Sequence, residues 1–321
     1  MEGQEIIKEF RDDFYSMVSQ IPEGRVTTYG ALAESLGDKI AARAVGKMLN
    51  QNPNPIEVPC HRVVRSNGEL GGFGMGESKK KELLNSEGIE IEDRQVLDFE
   101  EKLFADFDSD RPLEELRAIQ HKIRKKVSLE NLENEPDLIA GVDVSYSHPE
   151  AYAALSLWSE GEEIDVFTVE VEMTFPYIPT YLAFREVPCF LEVLKKVEPA
   201  PDVILVDGNG VMHPKRAGSA SHLGVEADLP TIGVAKSQLC GRVISDVTRE
   251  NRVAEVRDDG GLMGYAVLEG NKAKNPIYVS PGHHVAYEKA VRIVRDYCKH
   301  KIPEPIRKAH KEAQKRRKKD G

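Results

Sequence analysis

The sequence predicts two domains, a small mainly helical one followed by an α/β domain built on a mixed sheet. Three observations carry this prediction. The chain has 321 residues, more than one small core needs. Helical periodicity fills its first part, whereas apolar strands dominate after about residue 138. Between them runs an acidic stretch, Glu90, Glu92, Asp93, Asp98, Glu100, Glu101, Asp106, Asp108 and Asp110, relieved only by Arg94 and Lys102. Blocks of one sign are usually solvated, so residues 93–110 read as a linker with a short helical piece. The expected domains are 1–92 and 111–302, with a basic tail over 303–321 where Arg307, Lys308, Lys311, Lys315, Arg316, Arg317, Lys318 and Lys319 crowd together.

Composition narrows the class. The net charge of −10 resolves into these two opposite poles. Four cysteines (Cys60, Cys189, Cys240, Cys298) lie far apart without metal-ligand spacing, which points to a reducing cytoplasm rather than a disulfide framework. No apolar run reaches spanning length, and Met1 to Arg11 lacks a signal peptide's apolar core, so a soluble cytoplasmic protein with no membrane partner, monomeric, is expected.

In the first domain, Ile6, Ile7, Phe10, Phe14, Met17 and Val18 give residues 6–20 one apolar helical face, ended by Ile21-Pro22-Glu23-Gly24. Thr27 or Thr28 can N-cap a short helix that Gly37 stops, and a second helix follows from about Ile40 to Asn50. This is helix-turn-helix order, although the pattern alone equally fits any small helical pair. Pro59-Cys60-His61-Arg62-Val63 then sets a thiol beside an imidazole, one way to make a thiolate nucleophile; a buried structural Cys is the plain alternative.

With Thr27-Thr28-Tyr29-Gly30, Arg43-Ala44-Val45-Gly46, Asn52-Pro53 and Glu87-Gly88, residues 10–92 closely resemble the DNA-binding domain of the O6-alkylguanine-DNA alkyltransferases. The resemblance implies a winged helix-turn-helix. It makes Cys60 the alkyl acceptor, His61 its base through a water and Glu87 the carboxylate orienting His61. Asn52 braces the active-site turn, Tyr29 helps swing the nucleotide out and Arg43 fills the vacated stack. Gly71-Gly72-Phe73-Gly74-Met75-Gly76 matches the glycine-rich pocket wall, with Phe73 where many members carry Tyr. No cofactor is implied. The family's usual extra N-terminal domain does not precede this region, as in related alkyltransferase-like proteins that lack the Cys; the presence of Cys60 favours transfer over sensing.

In the second domain Leu138 to Tyr146 is an apolar strand with Asp143 planted in it, and Tyr152 to Trp158 and Ile164 to Met173 complete a meander. Leu182 to Val197 reads as a helix carrying Glu186. Val203 to Val206 is a buried strand ending in Asp207, and Thr231 to Lys236 is one more strand. That is the order of the ribonuclease-H-like fold. Acids on neighbouring central strands are costly to bury without a neutralising cation, and carboxylates suit Mg2+ or Mn2+. Three independent acids, one capping a helix and two at strand ends, fit the spacing as well.

Phe175-Pro176-Tyr177-Ile178-Pro179, Phe184-Arg185-Glu186, Val206-Asp207-Gly208-Asn209-Gly210, His213-Pro214, Ser221-His222-Leu223-Gly224 and Gly233-Val234-Ala235-Lys236 together strongly resemble endonuclease V over about 111–300. The resemblance implies a metal-dependent nuclease (Mg2+, with Mn2+ able to substitute). It would cut the second phosphodiester bond 3′ to deoxyinosine and other deaminated bases. Asp143 and Asp207 match metal ligands, Glu186 completes the acidic site and Lys236 faces the scissile phosphate. His213 and His222 match histidines after the second catalytic strand, and His283 falls near the metal. Tyr177 matches the wedge that stacks in the vacated space. Asn209 stands where His is common, and the pair Lys215-Arg216 stands where a basic residue often follows the Pro directly. The expected protein is a bifunctional DNA repair enzyme acting on double-stranded DNA with alkylated or deaminated bases. The alternative is an alkylation-damage sensor fused to an inosine-specific ribonuclease, since 2′-hydroxyl recognition hangs on few side chains.

Overall fold

The computed structural model describes residues 1–130, 134–270 and 273–320. The chain forms two compact units. One comprises Glu2–Ala118 with Thr174–Pro179, the other Met1, Ile119–Met173 and Thr180–Gly321.

The first unit is mostly helical. Helix α1 (Gln4–Ser19) buries Ile7, Phe10, Phe14, Met17 and Val18, the stripe its periodicity predicts. A two-residue strand β1 (Thr27–Thr28) leads into α2 (Tyr29–Ser35), where Thr28 is the N-cap and its hydroxyl accepts the Ala31 N–H at 3.0 Å. A 3-10 turn, itself capped by Asp38, precedes α3 (Ala42–Asn50). Cys60–Arg62 form a 3-10 turn, and β2 (Val63–Val64) pairs in parallel with β1. Helix α4 (Glu77–Ser86) and the short strands β3 (Ile91–Glu92) and β4 (Gln95–Val96) follow. The stretch read as a linker is partly folded. Val96 is buried in a cluster with Val26, Val64, Leu70, Leu84 and Ile89, and α5 (Phe99–Lys102) is the expected helical piece. Helix α6 spans Pro112–Lys126, its residues 112–118 in this unit and the rest in the second.

The second unit is organised by a nine-stranded mixed sheet. Its strands are β5 (Ile139–Ser147), β6 (Glu150–Ser159) and β7 (Glu162–Glu172), then β8 (Val203–Val206) and β9 (Thr231–Ala235), then β10 (Arg242–Val243), β11 (Val253–Asp258), β12 (Gly261–Val267) and β13 (Ile277–His283), in the order β10-β11-β12-β13-β9-β8-β5-β6-β7. The β5–β8 and β8–β9 pairs are parallel and the others antiparallel. Helices α7 (Leu182–Leu194) and α8 (Ser219–Ala227) cover one face; α9 (Tyr287–Asp296) and α10 (Glu304–Asp320) cover the other.

Alternation along the strands places the acids. Ala140, Val142 and Val144 pack with α7 and α8, as do Ile204 and Val206. Ile139, Val203, Leu205, Ile232 and Val234 face the other core. A period of two therefore turns Asp143, Asp207 and Lys236 toward the same face, that of α10. The register pairing Ile139 with Val203 and Gly141 with Leu205 brings Asp143 level with Asp207.

The basic segment read as a tail is helix α10, packed on the sheet. Its start lies so close to β5 that a Cβ on Gly141 would collide with the backbone of Pro305 and Ile306. Ala309 and Ala313 are buried against Ala154, and Ser156 donates a 2.7 Å hydrogen bond to the Pro305 carbonyl. Small residues at three-to-four spacing hide in a run of Lys and Arg, so charge counting missed a helix held by an alanine seam.

Candidate functional site

In the helical unit, the Cys60 turn is held from three sides. The Asn52 side-chain amide donates to the Val58 carbonyl at 3.0 Å and to Cys60 Sγ at 3.1 Å, so one side chain fixes both the turn and the sulfur. His61, buried, contacts Glu87 Oε1 through Nε2 at 2.7 Å. Glu87 is an acceptor, so Nε2 carries the proton and Nδ1 is the free base. Burial lowers the His61 pKa against the opposing pull of Glu87, which keeps the ring neutral and able to accept a proton. Arg62 grips the other side of Glu87 with two 2.9 Å hydrogen bonds. Burial alone would raise the Glu87 carboxyl; the Arg62 and His61 hydrogen bonds outweigh it and hold it below its usual range.

Cys60 opens into a cavity of about 470 Å3, lined also by Tyr29, Leu49, Arg65 and Phe73. A Cβ on Gly71 would push against the Tyr29 hydroxyl and move that ring within the cavity. Phe73 stands over the catalytic turn, its ring 6.2 Å from that of His61. Arg43 is exposed near the start of α3. One buried residue beneath the glycine-rich stretch escaped the sequence reading. Lys80 is fully buried, donates to the carbonyls of Val63, Gly71 and Gly72, and is pushed by burial down to about 8. In the run Glu77-Ser78-Lys79-Lys80-Lys81 it reads as a solvated helix face.

Glu87→Gln tests this relay. It removes the charge that Arg62 and His61 share and should cost about 3 kcal/mol, the range for breaking a buried pair from one side. Because the folded Glu87 pKa lies below its ordinary 4.5, its stabilisation is present above that pH and fades as the carboxyl protonates below it. Thermal unfolding against pH should therefore show a smaller acid-side loss in the variant, with transfer slowed at neutral pH.

In the sheet unit, Asp143, Asp207 and His310 present ligand atoms that all lie within 4.8 Å of one another. His310 Nδ1 is 2.5 Å from Asp143 Oδ2, and Lys236 forms an ion pair with Asp207. Burial, then Asp207, pushes Asp143 up to about 6. Glu186, on α7, is buried and raised to about 8 by burial first, then by Asp143 and Asp207. Ser219 donates to its Oε2 at 3.0 Å and the Tyr146 hydroxyl to Oε1 at 3.4 Å. Asp143 and Glu186, raised by burial and then by neighbouring acid charge, stand with Asp207 and the His310 imidazole as a donor set that could hold a divalent cation.

The other predicted histidines lie elsewhere. His213 is buried, with Nε2 3.1 Å from the Thr180 carbonyl and Nδ1 accepting the Lys215 N–H. His222 is buried with its ring edge-on to Phe184 at 5.0 Å. His283 belongs not with Asp143 and Asp207 but with Asp228 and His284. Its Nδ1 accepts the Ser128 N–H, which leaves the proton on Nε2 facing Asp228 and makes the ring a donor there. The imidazole at the acid centre is His310, hidden from sequence reading because it sits in the basic block. Tyr177 lies in Thr174–Pro179, the segment that clusters with the helical unit, and is 54% exposed.

Two constellations thus share one chain, a thiol beside a His–Glu pair in a helical unit and a cluster of acids on a mixed sheet. The family model of endonuclease V matches residues 121–311, and that of the 6-O-methylguanine DNA methyltransferase DNA binding domain matches residues 9–89. A bifunctional methyltransferase/endonuclease of Picrophilus torridus is 38% identical, covering 92% of this chain and 93% of its own length. That of Thermoplasma volcanium is 36% identical, covering 92% and 87%. The catalytic domain of human endonuclease V superposes with a TM-score of 0.61 at 30% identity, over 66% of this chain and 98% of that one. A Ciona intestinalis endonuclease V, solved with a 23-mer DNA containing an inosine followed by a ribo-adenosine, gives 0.60 at 33% identity over 67% and 100%. The chain belongs to the endonuclease V family and, over nearly its whole length, to the bifunctional methyltransferase/endonucleases. It joins a DNA methyltransferase and an endonuclease in one repair enzyme. No helix among the described residues is long and apolar enough to cross a membrane.

Proposed function

We propose that Cys60 takes alkyl groups from O6 of guanine in double-stranded DNA, and that the Asp143–Asp207 centre nicks DNA at the second phosphodiester bond 3′ to deoxyinosine. Helices α2 and α3 act as the winged helix-turn-helix, with residues 65–76 standing as the wing, Arg43 entering the stack and Tyr29 helping to turn the nucleotide into the cavity. The Cys60 proton passes through a water to His61 Nδ1 while Glu87 steadies the ring. The sulfur attacks the alkyl carbon, an S–C bond forms, the C–O6 bond breaks, and guanine leaves with its oxygen. The thioether is stable to water, so each molecule acts once.

In the nuclease, Asp143 and Asp207 would hold Mg2+ or Mn2+, with Glu186 completing the acidic site and His310 beside Asp143. A cation held there would lower the pKa of an attacking water and offset charge on the phosphate. Lys236 adds a positive charge on the same side, Ser219 and Tyr146 fix the Glu186 carboxyl, and Tyr177 wedges into the gap beside the lesion. The acid centre shared by Asp143, Asp207 and His310 within 4.8 Å carries this reading.

Mapping the cut on deoxyinosine duplexes and matched inosine RNA tests it. A Mg2+-dependent nick one nucleotide beyond deoxyinosine, silenced by EDTA, with Tyr177→Ala reducing preference for the lesion about tenfold (one to three kcal/mol of stacking is at stake), is expected. Faster cutting of RNA would overturn the DNA assignment.

A further inference from the structure

We propose that the C-terminal half of α10 is a cationic rail that holds the phosphate backbone of the strand presented to the Asp143–Asp207 centre. This rests on the nuclease reading above. The first half of α10 is an anchor, with Ile306, Ala309 and Ala313 buried and His310 bound to Asp143. Beyond Ala313 none of residues 314–319 is buried, yet the helix runs on to Asp320. Gln314, Arg316 and Arg317 are half-buried, whereas Lys315, Lys318 and Lys319 stand exposed.

The composition of this extension favours the rail. Residues 315–319 are Lys-Arg-Arg-Lys-Lys in a chain whose net charge is −10, so positive surface for a polyanion must be concentrated somewhere. Lys311, Lys315, Lys318 and Lys319 are all exposed. At 100° per residue they fall on one stripe, directly beside the face that carries His310 and Gln314. Gln314 Nε2 sits 2.9 Å from His310 Nε2 and His310 reaches Asp143, so the stripe begins one residue from the acid centre. Glu312, the one acid within it, is occupied by Lys308 and Lys315 at 3.6 and 3.4 Å. From Lys311 to Lys319 the helix rises about 12 Å, the length of three to four phosphates at 3.4 Å along one strand. Basic residues at a helix C-terminus also offset the macrodipole, and that is the rival account.

The test compares the full chain with a variant carrying Lys311→Gln, Lys315→Gln, Arg317→Gln, Lys318→Gln and Lys319→Gln; Gln keeps helix propensity. Binding to a deoxyinosine duplex is followed by fluorescence anisotropy across a salt series without divalent cation, and nicking is measured with Mg2+. Each lost phosphate contact flattens the slope of log Kd against log salt by about 0.9. A slope flatter by about 2–4, with affinity at low salt at least tenfold weaker, is expected. A companion with Lys311→Arg, Lys315→Arg, Lys318→Arg and Lys319→Arg should keep the native slope, because charge alone is at work. An unchanged slope in the Gln variant, or a flattened one in the Arg variant, overturns the rail. If the unaltered protein nicks neither deoxyinosine DNA nor inosine RNA, the nuclease reading fails instead.

Discussion

Asp207→Asn silences strand nicking and leaves alkyl transfer at its native rate. Asp207 follows β8 on the face that also carries Asp143, and its carboxylate meets both Lys236 and the three-atom cluster with His310. Losing one ligand from such a centre removes several kcal/mol of charge stabilisation at the phosphate, equivalent to a fall in rate of about a thousandfold. Asp143→Asn should do the same to nicking, with an opposite effect on stability. The folded Asp143 pKa, about 6, is raised above its ordinary 3.8. The ionised carboxylate therefore costs stability above about pH 6, and the cost disappears as pH falls toward 4. A shift of that size corresponds to roughly 3 kcal/mol at most. Melting in EDTA should show the variant more stable than the native protein at pH 7 and level with it near pH 4. A variant less stable at pH 7 would mean that the His310 contact outweighs the repulsion between the two acids.

Cys60→Ser abolishes alkyl transfer and leaves nicking unchanged. A serine hydroxyl ionises far too weakly for the neutral His61 ring to supply an alkoxide, whereas the 3.1 Å hydrogen bond from Asn52 reaches the position the hydroxyl would occupy. Nothing large is lost from the core, so the variant should fold with its cavity intact and still bind O6-methylguanine duplexes. The intact mass of the protein after incubation with such a duplex is the readout. A methyl gain in the variant would place the acceptor elsewhere, and loss of nicking would mean that the two sites depend on one another.

Strand chemistry was the most legible part of this sequence. Asp143 and Asp207 each interrupt or end an apolar run, a setting that fits a cation site and three independent acids alike, and the motifs around them decided for the cation. The Cys60-His61 pair with Glu87 was legible through motif order, and Thr28 as an N-cap through local hydrogen bonding. Lys80 and His310 were not, for one shared reason. Each sits among charged neighbours, so a window of sequence reports solvent, whereas a tertiary contact (three carbonyls in one case, Asp143 in the other) decides its place. His283 shows the converse, since a motif-like setting drew it toward the acids while the register of β13 turns it to Asp228. The alanines at 309 and 313 carry too little hydrophobicity to signal a buried helix, although Gly141 makes room for it.

The central claim is that one chain carries two separate repair chemistries. The direct measurement places the purified protein with Mg2+ on two duplexes, one containing O6-methylguanine and one deoxyinosine, and follows protein mass and strand length together. The predicted result is a gain of one methyl group on the Cys60 peptide with the first duplex and a nick one nucleotide beyond the lesion with the second. No mass gain alongside nicking would reduce the helical unit to a lesion sensor, and a mass gain without nicking of deoxyinosine DNA would contradict the assignment of the acid centre.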